Sequence, residues 1–138
     1  MFSGKVKVRK SQLDYFRRQS RDSAKEIFAF LIGVVVSPSL TRIDRFYYPD
    51  YSEQTAGSVR PTAESTGAAH KSALDSNLKV VGSLHSHPDW FPIMSEADYK
   101  GHIEDGDRIS GIVGINGRRT KVYFWTAESA LPCQIEYL

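Results

Sequence analysis

The sequence predicts a single domain of the α/β class, in which helices flank a mixed β-sheet. Runs rich in β-branched and aromatic residues alternate along the chain with amphipathic or alanine-rich segments, as is typical of intermixed strands and helices. The length of 138 residues is usual for one domain, and no linker, repeat or low-complexity tract divides the chain. We therefore treat residues 1–138 as one domain.

The first third of the chain contains three predicted strands and one predicted helix. Residues 5–9 alternate charged and apolar side chains, as in a short strand. Ser11 and Asp14 resemble a capping box, which predicts a helix that begins at Ser11. The apolar run at 27–36 and the segment 42–48 are rich in β-branched and aromatic residues, so they predict two further strands.

The middle of the chain is predicted to contain a loop, a helix and a strand. Residues 49–61 have the composition of a loop. Thr62 is the predicted N-cap of an alanine-rich helix over 62–76. Residues 78–87 predict a strand that ends just before a proline.

The last third of the chain begins with a helix and ends with strands. Ser95 is the predicted start of the helix. Residues 109–115 and 120–125 predict two strands, joined around Asn116-Gly117, which is a strong hairpin signal. A short final strand is predicted at 134–137.

Composition limits the class of protein. Apolar residues make up 41% and charged residues 25%, which is ordinary for a globular chain. Cys133 is the one cysteine, so no internal disulfide forms, as expected in a reducing compartment. No signal-peptide pattern opens the sequence, and the apolar run at 27–36 is too short to span a membrane. We therefore expect a cytoplasmic protein with no membrane partner.

Positive charge is concentrated at the start of the chain. Residues 1–21 contain seven lysines and arginines and a single acid, Asp14. A basic segment of this kind can contact nucleic acid, but no nucleic-acid-binding motif accompanies it. We predict a solvated basic face and no nucleic-acid partner.

The segment VGSLHSHPDWFPIMSEAD contains residues that can hold a metal ion. His85 and His87 are two residues apart on a predicted strand, so both side chains point to one face, about 6.6 Å apart. Asp98 lies in the first turn of the helix that follows. Two imidazoles and a carboxylate form the three-ligand set of a catalytic zinc site, which keeps a fourth position for water. The general base stays open at this point, because it is either Asp89, Glu96 or a residue elsewhere in the chain.

The stretch HSHPDWFPIMSEAD matches the pattern His-x-His-x7-Ser-x2-Asp, and on these residues the chain resembles the JAMM (MPN+) metalloproteases of compact prokaryotic type. That family also has an upstream segment like Glu-x-x-Gly-x-Leu-x-Gly, which EIFAFLIG at 26–33 resembles. Gly82 and Pro88, on either side of the histidines, also match. Three positions depart from the pattern, and they concern substrate choice and loop shape rather than the ligands: Ala29, Ser83-Leu84 and Met94.

The resemblance implies roles for five residues. His85, His87 and Asp98 would bind Zn2+. Glu26 would be the general base that passes its proton to the leaving amine, and Ser95 would donate a hydrogen bond to the developing oxyanion. The implied reaction is hydrolysis of the amide that follows the C-terminal glycine of a ubiquitin-like protein, in a conjugate or a precursor. The implied fold is the JAB1/MPN domain, a mixed sheet flanked by helices and similar to cytidine deaminases.

Some assignments have alternatives at this point. Glu26 begins an apolar run, so its carboxylate is either partly desolvated and suited to act as a base, or exposed at the end of the preceding helix. His102 follows Asp98 by four residues and is predicted to lie on the helix surface or to support the ligands, with a ligand role as the alternative. Residues 90–92, Trp-Phe-Pro, either cover the core or line the path to the metal.

Three functions are compatible with the sequence. The first is a zinc isopeptidase or peptidase that trims the tail of a ubiquitin-like protein, which would lie extended beside a strand edge. The second is a non-catalytic MPN-type scaffold, which is less favoured because every ligand and the base are present. The third is a zinc peptidase that acts on ordinary peptides. A homodimer is also compatible with the sequence.

Overall fold

The computed structural model describes residues 2–138, except for the side chains of residues 96, 97 and 103. Strands and helices are intermixed along the chain, which confirms the predicted α/β class with helices beside a mixed sheet. The elements, in chain order, are β1 (Lys5–Val8), α1 (Lys10–Arg21), β2 (Phe28–Ser37), β3 (Leu40–Tyr47), β4 (Tyr51–Gln54), β5 (Val59–Pro61), α2 (Ala63–Asp75), β6 (Lys79–His87), α3 (Glu96–Asp105), β7 (Ile109–Asn116), β8 (Arg119–Trp125) and β9 (Gln134–Tyr137).

Seven of these strands form one sheet in the order β8-β7-β6-β2-β3-β1-β9. The central strand β2 is antiparallel to both β3 and β6, whereas β6 and β7 are parallel. Parallel neighbours need a crossover, and α3 lies within the connection from β6 to β7. The sheet is therefore mixed, and the candidate metal-binding segments belong to adjacent central strands.

The two faces of the sheet have different roles. On β2, Ala29 and Leu31 point into the main hydrophobic core, together with Leu13 and Phe16 of α1. Side chains alternate along a strand, so Phe28 and its neighbours of the same parity point to the opposite face. That opposite face contacts α2, and the candidate site lies there.

The start of α1 differs from the prediction. The helix begins at Lys10, its N-cap is Arg9, and no side chain caps it. Asp14 is one turn inside the helix, where its carboxylate accepts a hydrogen bond from Lys10 Nζ at 2.6 Å. The predicted capping box at Ser11 is therefore wrong, because Asp14 pairs with a lysine four residues earlier instead of with a backbone amide.

The prediction of a loop over 49–61 is also wrong. The segment forms a two-stranded antiparallel hairpin of β4 and β5, separate from the main sheet. Its strands are short and polar, so the period-2 hydrophobic signal is missing. The hairpin is held instead by hydrogen bonds with Glu26, before β2, and with Phe28, at the start of β2.

Other local predictions are confirmed. Thr62 caps α2, and its side-chain oxygen accepts the amide of Ser65 at 3.0 Å. The β7–β8 hairpin turns at Gly117 and Arg118, and Gly117 has a φ of +63°, which glycine adopts without strain. Among the described residues, no helix is both long and apolar enough to span a bilayer.

Candidate metal centre

The strand β6 places two imidazoles on one side of the sheet. His85 and His87 alternate with Leu84 and Ser86, which are fully buried on the core side. Gly82 allows this strand to approach β7 closely, because a Cβ at that position would collide with the carbonyl oxygen of Ile109. The backbone of β6 is thereby fixed directly upstream of the histidines.

The two imidazoles converge on each other. Nε2 of His85 lies 3.1 Å from Nε2 of His87. At His87 the other ring nitrogen, Nδ1, donates a hydrogen bond to the carbonyl oxygen of Phe91. This bond assigns the proton of the neutral ring to Nδ1 and leaves the lone pair of Nε2 available to a cation.

The carboxylate of Asp98 completes the cluster. Its oxygens lie 3.2 Å from Nε2 of His85 and 3.1 Å from Nε2 of His87. Asp98 is held from the other side by Ser95, whose amide donates to the carboxylate at 3.0 Å and whose Oγ accepts the amide of Asp98 at 3.1 Å. Since Ser95 Oγ is the acceptor in this bond, its hydroxyl hydrogen is free for another partner. The side chain of Glu96, the other acid predicted in this turn, lies outside the described residues.

Glu26 reaches the same place from the segment before β2. One carboxylate oxygen of Glu26 and one ring nitrogen each of His85 and His87 lie within 4.8 Å of one another. The residue is only 8% exposed, so the alternative of an exposed glutamate at a helix end does not hold. Burial raises the pKa of the Glu26 carboxyl above its ordinary value, although the two imidazoles oppose that shift.

The charges of the cluster are tightly coupled. Burial alone would raise the pKa of Asp98, but its hydrogen bonds with His85 and His87 lower that pKa well below the usual range. Burial alone would lower the pKa of His87, but its bonds with Asp98 and the Phe91 carbonyl raise it overall. The carboxylate is therefore ionised at neutral pH and attracts a positive charge between the imidazoles.

Sequence reasoning missed the residue that ties Glu26 to the histidines. Ser86, between them, is fully buried, and its Oγ accepts the amide of Ile27 at 2.9 Å. The amide of Ser86 also donates to the carbonyl of Ile27 at 3.0 Å. A serine at a core-facing strand position is the signal that could have been used, because a buried hydroxyl needs a partner.

The β4–β5 hairpin fixes the segment around Glu26 from its other side. The amide of Glu26 donates to the Thr55 carbonyl at 2.8 Å, and Gln54 Nε2 donates to the Glu26 carbonyl at 3.0 Å. Tyr51 Oη donates to the Phe28 carbonyl at 3.0 Å and accepts the Phe28 amide at 2.8 Å. Nothing in the composition of 49–61 indicated these contacts.

The cluster opens into a cleft of about 620 Å3. Its walls include β5 and the start of α3, so Ser95 and Asp98 line it together with Glu26 and His85. His102 also lines the cleft, but it shares a hydrogen bond with Ser110 through Nδ1 and lies outside the group of converging ligand atoms. It is 3% exposed, so the prediction of a helix-surface residue is wrong, whereas support of the ligands stays a prediction because its described hydrogen bond goes to Ser110.

The side chains of residues 90–92, Trp-Phe-Pro, lie in different surroundings. Phe91 is 63% exposed, so it does not cover the core. Pro92 packs on Gly114, where a Cβ would collide with it. Trp90 has a φ of +80° and points into a neighbouring cleft rather than into the one at the histidines.

The five predicted site residues thus lie in or beside one cluster. Glu26, His85, His87 and Asp98 are brought together, and Ser95 lies at the rim, where it positions Asp98. Their roles as ligands, base and oxyanion donor stay predictions at this point.

Comparison with a model of a protein family gives a match over most of the chain. The family is described as prokaryotic homologs of the JAB domain, and the match covers residues 9–128. No curated protein matches the chain.

Solved structures with the same fold include three proteins of low sequence identity. A solution structure of a protein from Desulfitobacterium hafniense has a TM-score of 0.76 and 15% identity, and covers 96% of this chain and 92% of its own. A crystal structure of a JAB1/MPN domain protein from Archaeoglobus fulgidus has a TM-score of 0.63 and 15% identity, with coverage of 96% and 98%. A solution structure of a protein from Salinibacter ruber has a TM-score of 0.63 and 20% identity, with coverage of 96% and 90%.

Proposed function

Because this chain belongs to the family of prokaryotic JAB domains, we propose that it is a zinc-dependent peptidase or isopeptidase. Its substrate would be the amide that follows the C-terminal glycine of a ubiquitin-like protein, in a conjugate or a precursor. The single observation that supports this most is that Glu26 and Asp98 both lie close to the paired ring nitrogens of His85 and His87.

The donor atoms fit a tetrahedral zinc ion. Zinc binds nitrogen and oxygen ligands at about 2.0–2.2 Å, so two ligands of one tetrahedral ion lie roughly 3.3–3.5 Å apart. The Nε2 atoms of His85 and His87 are 3.1 Å apart, and the Asp98 oxygens lie 3.1 and 3.2 Å from them. Two imidazoles with one carboxylate also match the donor types of catalytic sites, which keep one position open.

In the proposed reaction, each residue around this ligand set has a different role. Zinc, when bound, supplies a water of lowered pKa and polarises the substrate carbonyl. Glu26 is buried beside the ligands, so its carboxylate takes a proton from the attacking water and delivers it to the leaving amine nitrogen. The Ser95 hydroxyl, which is free to donate, hydrogen-bonds the oxygen that becomes negatively charged.

The hairpin offers a place for an extended substrate tail. Residues Val59–Pro61 of β5 line the cleft, and in the described sheet β5 pairs only with β4. An extended chain can add to such a strand edge through backbone hydrogen bonds. Glycine at the end of that chain would let the backbone pass close to the ligands, because it has no Cβ.

Metal analysis and one isosteric substitution test the proposal. The purified protein is expected to bind about one zinc ion per chain. Glu26→Gln should keep the zinc and lose hydrolysis by at least about a hundredfold, as expected for loss of a general base. Glu64→Gln is the matched control, since Glu64 is an exposed glutamate in the first turn of α2. Suitable substrates are aminocoumarin conjugates of ubiquitin-like proteins and of short peptides ending in Gly-Gly or in other residues.

The outcomes separate the three functions. A protein that takes up no zinc after reconstitution would be a scaffold and not a hydrolase. Equal turnover of peptides with and without a terminal glycine pair would assign the chain to the ordinary peptidases. Full activity in Glu26→Gln would remove Glu26 from the mechanism.

A further inference from the structure

A second cleft, of about 670 Å3, lies at the edge of the sheet and is lined mainly by positive side chains. We call it the basic cleft. One wall is the C-terminal half of α1, and the other is the β7–β8 turn with the start of β8. The residues that line it are Asp14, Arg17, Arg18, Arg21, Trp90, Arg118, Arg119, Thr120 and Lys121.

The positive charges of the basic cleft far outnumber the acids that line it. Among the described ion pairs, none involves the arginines or the lysine that line this cleft. Asp14 is the one acid among the described lining residues, and its carboxylate is already paired with Lys10 at 2.6 Å. Six like charges on facing walls create a strong positive potential, which attracts an anionic partner.

The walls of the basic cleft are tied together. Arg17 Nε donates to Thr120 Oγ1 at 2.6 Å, and its Nη2 donates to the Thr120 carbonyl at 3.3 Å. Lys121 Nζ lies 5.9 Å from the centroid of the Trp90 ring, within cation–π range. Contacts within the fold therefore hold Arg17 and Lys121, whereas the other four cations of the cleft are exposed: Arg18, Arg21, Arg118 and Arg119.

One loop connects the basic cleft with the candidate metal centre. The Phe91 carbonyl accepts the Nδ1 proton of His87, whereas the preceding residue, Trp90, lines the basic cleft. The Trp90 carbonyl and Pro92 pack on Gly114 of β7, so the loop is held against the sheet between the two clefts. A protein substrate that spans this loop would therefore contact both clefts.

We propose that the basic cleft binds an acidic segment of the protein substrate, and this proposal rests on the function proposed above. Arginine guanidinium groups pair with carboxylates through two parallel hydrogen bonds, and five of the six cations are arginines. Such complementarity speeds the encounter and selects acidic partners. Single-stranded nucleic acid fits less well, because Trp90 is the one aromatic residue among the described lining residues and successive bases need several stacking surfaces.

A binding experiment with defined anions tests this assignment. Fluorescein-labelled decaglutamate is titrated with the full chain at low salt, with decaglutamine and decathymidylate as comparison probes, and binding is followed by fluorescence anisotropy. R118E/R119E reverses two exposed charges of the cleft, and R18E/R21E reverses two on the opposite wall. K71E/K79E is the control, because it changes the net charge equally at exposed lysines away from the cleft. Thermal melts check that all three variants are folded.

We expect decaglutamate to bind the native protein, with an affinity that falls by at least about tenfold in both cleft variants and by much less in the control. Binding should also weaken as salt is added. Absent decaglutamate binding, or an equal loss in K71E/K79E, would overturn the assignment to this cleft. Decathymidylate binding as tight as that of decaglutamate would overturn the assignment to an acidic protein segment. The assay needs neither zinc nor turnover, so a failed hydrolase test is distinguishable from a failed binding test.

Discussion

Ser86→Ala is expected to weaken the link between Glu26 and the two histidines of the candidate metal centre. In the native protein Ser86 Oγ accepts the amide of Ile27, which follows Glu26 directly. The substitution removes that acceptor while the backbone bond from Ser86 to the Ile27 carbonyl stays. Glu26 should then lose part of its alignment with His85 and His87, whereas the histidines keep theirs.

The magnitude follows from the burial of the lost acceptor. Ser86 is fully buried, so water cannot easily replace its hydroxyl, and the orphaned amide carries a penalty of about 1–3 kcal/mol. For a domain of this size that free energy corresponds to a fall in Tm of roughly 3–9 °C. Zinc content should be unchanged, and kcat should fall because the base is less well positioned.

Urea denaturation, metal analysis and turnover measure these three effects. Ser76→Ala serves as the control, because Ser76 is an exposed serine at the end of α2 and its loss should change stability by less than about 0.5 kcal/mol. If Ser86→Ala were as stable and as active as Ser76→Ala, the buried hydrogen bond would not position Glu26. Loss of zinc together with activity would instead indicate that Ser86 supports the histidines.

Four further substitutions test other parts of the fold. Tyr51→Phe removes the hydroxyl that bonds both backbone groups of Phe28, so unfolding free energy should fall by about 1–3 kcal/mol in urea melts, with zinc retained. Gly82→Ala should prevent recovery of folded protein, because its Cβ meets the β7 backbone, whereas Gly67→Ala in α2 meets nothing and should stabilise by up to about 1 kcal/mol. Burial, reinforced by a neighbouring carboxylate, raises the pKa of Asp107 to about 6. The native state therefore holds the Asp107 proton more tightly than the unfolded chain does, so the free energy of unfolding is full below about pH 4 and falls as the pH rises through 6. The free energy of unfolding of Asp107→Asn should accordingly exceed that of the native protein by at most about 3 kcal/mol at neutral pH and equal it near pH 4. A pH-independent difference would contradict this account of Asp107.

The strands of the main sheet could be predicted because each has a recognisable residue pattern within its own sequence. β2 and β6 are apolar, β-branched and long enough to be recognised, and alternation along β6 predicts that His85 and His87 share a face. The N-cap at Thr62 was equally local, since it depends on a residue three positions away. Both predictions use residue patterns that can be read within a few positions of the sequence.

Apart from the start of α1, where Asp14 pairs with Lys10, the missed features depend on contacts between distant parts of the chain. Ser86 and Ile27 are 59 positions apart, and Tyr51 and Phe28 are 23 apart. The β4–β5 hairpin is polar, so its structure comes from these partners and not from an apolar pattern. Likewise, the basic cleft becomes visible only when the fold brings the C-terminal half of α1 beside the β7–β8 turn.

The alignment of β2 with β6 has a consequence for how this site can vary. Phe28 lies opposite His85, and a register shift between Leu31 and Ile32 interrupts the pairing farther along. Sliding the strands by two residues would carry Glu26 about 7 Å from the imidazoles, and the irregularity opposes such slippage because it fits only one alignment. The sheet thus fixes Glu26 relative to His85 and His87, so connections that touch neither these residues nor Asp98 are free to diverge and to contact new substrates while the proposed metal site is kept.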